Sequence, residues 1–164
     1  MKTPVCEMCL KSGILCRSCE EKVKRGEVSE TVVKVSSFLL KLSGEKKQLK
    51  DVSIVDVVES PDMAVIICGK GDAPNVIGAG GQNARKLEKE LGKSVKVVEE
   101  ASDIKDFASS LLMPLRVVSV NTIYKDGEEI YRVTASHGRP RISPQNFSRI
   151  IKLVYGKNAE FSSE

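Results

Sequence analysis

The longest apolar runs in this chain are only a few residues, far short of the roughly 20 that a membrane-spanning helix needs. Its opening residues hold no apolar stretch closed by a small-residue cleavage site, so a cytoplasmic location is expected rather than export. Histidine occurs once, at His137, and no serine or cysteine sits in a recognisable nucleophile elbow. Asp62, Asp72 and Asp103 lack metal-binding spacing. Glu99 and Glu100 are neighbours, which on a strand project to opposite faces and cannot act together. A nuclease would need a convergent acidic cluster. An enzyme is therefore not expected. Acidic residues are also absent from Ile130 to Ala159, where Arg132, Arg139, Arg141, Arg149, Lys152 and Lys157 stand alone.

What is present is an ordinary foldable composition, 41% hydrophobic and 29% charged over 164 residues, with room for two small cores. The net charge of +4 leans weakly towards a polyanionic partner. Four of the five cysteines form two CxxC pairs, Cys6/Cys9 and Cys16/Cys19, separated by six residues. Two tight bends facing each other would make a tetrahedral sulfur site, which suits Zn2+. An iron–sulfur centre shares that spacing. A redox CxxC usually opens a helix in a thioredoxin-like unit, for which residues 1–27 are too short. Four protein sulfurs leave no open position for a substrate, so the metal is expected to be structural, one Zn2+ per chain. With thiolates and zinc counted, residues 1–27 are near electrical neutrality, so a docking surface or a brace is as reasonable a role as gripping a polyanion. The fifth cysteine, Cys68, lies in an apolar run and reads as a small buried thiol.

Residues 28–100 read as one compact unit. Ser29 is a plausible N-cap for a helix that Ser43-Gly44 stops. Strands are expected over 52–58 and 63–68, a very short helix opening at Pro74, a helix over 82–91 and a third strand over 94–98. Between the last two helices stands Ile77-Gly78-Ala79-Gly80-Gly81. Glycines there let the backbone approach a phosphate, and free N–H groups at the following helix start point at the anion. Neither a dinucleotide fingerprint nor a Walker pattern fits the stretch. It has the layout of a GxxG loop that clamps single-stranded nucleic acid. Val76, Ile77, Ala84 and the 95–98 strand are candidates for an apolar groove taking bases. Lys70, Arg85, Lys86 and Lys89 would add salt-sensitive phosphate contacts.

Residues 101–164 repeat the order helix, strand, strand, helix, strand. Ser102 is the expected cap of the first helix, Asp126-Gly127 the hairpin turn, and Ser143-Pro144 the start of the second helix. His137-Gly-Arg-Pro-Arg-Ile142 stands where the glycine loop would be. The expected fold is α+β: a three-stranded sheet covered by helices, then a second, degenerate copy, after a small metal-binding module over 1–27. One-sided charge suggests phosphate contact by Arg139 and Arg141.

Gly78–Arg85 and the 102–118 segment resemble the type II KH domains of the transcription factor NusA, and more closely the small archaeal NusA-like KH proteins. The resemblance implies RNA carried by the GxxG loop and its groove. By position that role falls on Ile77, Gly78, Ala79, Gly80, Gly81, Asn83, Ala84 and Arg85. Ala79 departs from the family, where Lys or Arg is common. The implied function is single-stranded RNA binding with RNA polymerase in elongation or termination. Binding to ribosomal RNA or the small ribosomal subunit fits the same features, and a protein adaptor docking through its zinc knuckle is a third reading.

Overall fold

A computed structural model describes all 164 residues. Two compact units divide the chain: Met1–Val57 with Ala64–Glu100, and Val58–Met63 with Ala101–Glu164. No helix is long and apolar enough to cross a membrane.

The first unit opens with two short helices, α1 (Glu7–Ser12) and α2 (Arg17–Lys24), whose N-caps are Cys6 and Cys16. Each CxxC is therefore the first turn of a helix rather than a free bend. Glu7 and Glu20 near the helix starts and Lys11 and Lys24 near the ends complement the helix dipoles. Helix α3 (Glu30–Ser43) starts at Ser29, whose hydroxyl accepts from the Val32 N–H at 3.2 Å. Val32, Val35 and Leu39 recur at helical spacing and are buried. They share one core with Val5, Cys9, Leu10 and Cys19 and with Ala64, Ile66 and Leu87. The cysteine segment, expected over 1–27 as a metal-binding module, contributes Val5, Cys9, Leu10 and Cys19 to this shared core.

A 3₁₀ turn, Lys47–Asp51, links α3 to strand β1 (Ile54–Glu59). Strand β2 (Met63–Cys68) follows a turn closed by the Ser60 N–H on the Met63 carbonyl at 2.8 Å. All six β2 residues are buried, as expected of the middle strand in the order β1-β2-β3. Helices α4 (Ala73–Ile77) and α5 (Gln82–Leu91) cross over to β3 (Ser94–Glu99). Cys68 is fully buried and its thiol donates to the Val98 carbonyl at 3.4 Å. Burial, then the nearby Glu99 and Asp72 carboxylates, pushes that thiol up to about 12, so it stays neutral and inert.

In the second unit α6 (Ile104–Leu112) is capped by Asp103, which accepts from the Asp106 N–H at 2.8 Å. The expected cap, Ser102, lies one residue too early. A carboxylate also meets the positive end of the helix, which favours the later position. Strands β4 (Val117–Lys125) and β5 (Glu128–Ala135) form an antiparallel hairpin. Asp126 (φ 53°) and Gly127 (φ 81°) both take left-handed backbone, the two-residue turn that matches strand twist. Helix α7 (Pro144–Tyr155) is capped by Ser143, and β6 (Asn158–Ser163) lies parallel to β5 in the order β4-β5-β6. Phe107, Leu111, Phe147, Ile150 and Ile151 make the core. The element order of the first unit recurs, with one helix where that unit has two.

Candidate nucleic-acid interface and metal centre

Gly78 leaves α4 with φ 77° and ψ 167°, a conformation suited to glycine. A Cβ there would meet the Asn83 side-chain nitrogen at 2.7 Å. The Gly78 N–H donates to the Pro74 carbonyl at 2.9 Å and the Gly81 N–H to the Gly78 carbonyl at 3.0 Å, so the bend is a single tight turn. Ala79 and Gly80 at its tip are exposed. A Cβ on Gly80 would meet nothing within 4 Å, so a phosphodiester has open access to the backbone there. Gly81 caps α5 without a side-chain acceptor, so nothing from the protein's side chains caps the helix's positive end.

The remaining expected RNA residues divide by burial. Lys70, Arg85, Lys86 and Lys89 are exposed, and Ile77 and Ala84 are half-buried. Arg85 Nη2 donates to the Gly80 carbonyl, which holds a guanidinium over the loop. Val76 is fully buried and belongs to the core rather than to a surface groove. Asn83, 1% exposed, also faces inward. Its Nδ2 donates to the Asn75 carbonyl at 3.1 Å, and its Oδ1 accepts from Lys46 Nζ at 2.8 Å. It ties α4 to α5 across the glycines and shapes the loop from beneath. Lys46, which also donates to Gln82 Oε1 at 3.2 Å, gives no signal in the sequence because it lies 36 residues before that partner.

Arg139 and Arg141 lie in the second unit and are exposed. The acid-free window is less one-sided in the fold. Parallel register sets Arg132 beside Glu160, with contacts of 2.9 and 2.8 Å, and Lys157 reaches Glu129 at 3.7 Å. Arg139, Arg141, Arg149 and Lys152 keep no acidic partner.

The Cys6, Cys9, Cys16 and Cys19 sulfurs all lie within 4.8 Å of one another. A tetrahedron with metal–sulfur bonds of about 2.3 Å has edges of roughly 3.8 Å, so the four fit one ion. Cys6 Sγ and Cys9 Sγ are 3.2 Å apart, beyond a disulfide, and all four thiols are free. The Cys16 N–H donates to Cys9 Sγ at 3.0 Å and the Cys6 N–H to Cys19 Sγ at 3.5 Å, which would hold and stabilise thiolates. The Cys19 N–H pulls Cys16 down to about 7, and the Cys9 N–H lowers Cys6. The Cys16 N–H acts to lower Cys9 too, but the Cys6 thiol and burial push it up to about 12.

A helix, two strands, a helix, a GxxG turn, a helix and a third strand define a KH module. The family model for the KH domain matches residues 34–125, more than half of the chain, and the chain belongs to the KH domain family. Its relatives include proteins named probable transcription termination protein NusA. The one from Methanocaldococcus jannaschii is 27% identical over 77% of this chain and 67% of its own length. That of Halobacterium salinarum is 31% identical over 58% of this chain and 74% of its own length. For that of Methanococcus vannielii the figures are 22%, 69% and 60%. The crystal structure of APE1850 shares the fold, with a TM-score of 0.59 at 17% identity, covering 77% of this chain and 95% of that one.

Proposed function

We propose that this chain is a single-stranded RNA-binding protein of the NusA type, acting with RNA polymerase in elongation or termination. The observation that carries the reading is the open Ala79–Gly80 tip, set at the positive end of α5, which no side chain caps. The backbone around Gly80 meets a phosphodiester there. Arg85, Lys86, Lys89 and Lys70 supply charge, while Ile77 and Ala84 offer apolar surface to the bases. The names of the archaeal relatives support the transcription role. The cysteine cluster holds one Zn2+ in a structural role, since four thiolates close the coordination shell.

Crosslinking the protein to RNA in cells, with sequencing of the bound fragments and recovery of copurifying proteins, tests the reading. The expected result is nascent transcripts together with RNA polymerase. Ribosomal RNA fragments with small-subunit proteins would replace the transcription role by a ribosomal one, and no crosslinked RNA would leave a protein adaptor.

The second unit adds a phosphate-contacting surface through Arg139 and Arg141. Arg139→Ala with Arg141→Ala is expected to weaken RNA binding across many sequences. It should also lower the slope of log Kd against log salt by about 0.7 for each phosphate that is no longer neutralised. An unchanged slope would remove these arginines from the interface.

A further inference from the structure

Beside the glycine loop, on the side of the Lys47–Asp51 turn, lies a recess of about 420 Å³. Its walls are Lys46, Gln48, Pro74, Asn75, Gly78 and Gln82, with Leu49, Ala79 and Asn83 completing it. We infer that this recess is a nucleotide-binding subsite, taking the phosphate and base of the RNA residue next to those clamped at Gly78–Gly81. The inference rests on the loop being the RNA clamp.

The lining holds one ionised side chain, Lys46, and no carboxylate. An ammonium has three donors. Two of them go to neutral amide oxygens, Gln82 Oε1 at 3.2 Å and Asn83 Oδ1 at 2.8 Å. The positive charge is therefore uncompensated, and the third N–H remains for an anion. Because the amine is already held in place, less side-chain freedom is lost when a phosphate arrives.

Gln48, Asn75 and Gln82 each carry an amide that both donates and accepts, which is the chemistry that reads base edges. Pro74, exposed at the rim, offers an apolar ring for a base to rest on. A recess of this volume falls in the range of small-ligand sites.

Gly78 and Ala79 belong both to the loop and to the recess, so a strand held by the loop amides can continue into it. Ile77, Ala84 and the β3 residues do not line it. It is therefore distinct from the apolar surface those residues offer, and its Lys46, Gln48 and Leu49 come from the connection between α3 and β1.

The test uses the full metal-loaded chain and a fluorescein-labelled mixed-sequence single-stranded RNA decamer, with Kd measured over a salt series. Lys46→Met keeps the stem and removes the charge. Gln48→Glu puts a carboxylate in the recess and leaves the residues Lys46, Asn83 and Gln82 unaltered. Each is expected to raise Kd about tenfold at low salt. Lys46→Met should also lower the salt slope by about 0.7, the equivalent of one phosphate. Gln48→Ala should leave the slope alone while changing the ranking among oligo(A), oligo(U) and oligo(C) probes severalfold. If Gln48→Glu binds like the unaltered protein, the recess is empty of RNA and the inference fails. If Lys46→Met weakens binding with an unchanged slope, Lys46 only props Asn83 and the inference fails equally. A loop variant carrying Ala79→Asp and Gly80→Asp is measured alongside. Its failure to weaken binding would overturn the clamp itself, whereas a weakened loop variant beside an unaffected Gln48→Glu would overturn the recess alone.

Discussion

Replacing Ala79 and Gly80 together by aspartate is expected to weaken single-stranded RNA binding by at least about tenfold, a loss of ~1.4 kcal/mol or more. The two carboxylates would stand where the phosphodiester meets the loop amides, so like charges would face each other across the contact. Both positions are exposed, and a Cβ on Gly80 finds open space, so no packing is lost. Gly80 has φ 59°, and Asp tolerates left-handed backbone better than most residues. The melting temperature and the far-UV spectrum should therefore stay close to those of the unaltered chain. The same substitution at Gly78 would be a poor probe, because its side chain would run into Asn83 and disturb the loop itself. An unchanged Kd at fixed salt for the doubly substituted protein would reject the loop as the RNA site.

Much of the fold and of the loop is legible in the amino-acid pattern alone. Met63–Cys68 and Gln82–Leu91 have the residues and the bounds that the pattern suggests, since a continuous apolar run and a glycine-bracketed amphipathic stretch are strong local signals. The glycine loop is readable because its chemistry lies in consecutive residues. What escapes depends on contacts distant in sequence. The inward turn of Asn83 is set by Asn75 and Lys46, and α4, at five residues, is too short to show which way Val76 points. Arg132 looks free in the sequence because Glu160 stands just outside the acid-free window. The parallel β5–β6 register then brings the two side by side. The CxxC pairs are legible as a set of four clustered sulfurs but not as helix starts, because α1 and α2 are shorter than helices that hold alone, and tertiary contacts decide them.

Removing the metal is expected to have the largest effect on stability. Helices α1 and α2 have six and eight residues, well below the ~12–15 at which isolated helices become marginal in water, so they depend on their packing in the shared core and on the proposed metal. When they loosen, Val5 and Leu10 leave the core they share with α3. Each of the two departing side chains is worth ~1.5–3 kcal/mol in burial alone. For a unit of this size a loss of several kcal/mol shifts the melting temperature by more than about 10 °C. Treatment with a zinc chelator, or Cys16→Ser with Cys19→Ser, should therefore lower both helix content and melting temperature. Metal uptake must also displace protons from thiols, above all from Cys9, which lies far above the neutral range without metal. Protons compete, so affinity should fall as pH falls, and acidification should mimic the chelator. The damage should reach the RNA loop through the main chain. Lys2 pairs with Val52 and Ile54 at 2.9 and 2.8 Å, and the Ser53 N–H between them donates to Asp72 at 2.9 Å, immediately before α4. Elemental analysis is expected to find one zinc per chain. Iron would reassign the ion, and a folded, metal-free protein with four free thiols and an unaltered melting curve would show that packing alone holds this segment.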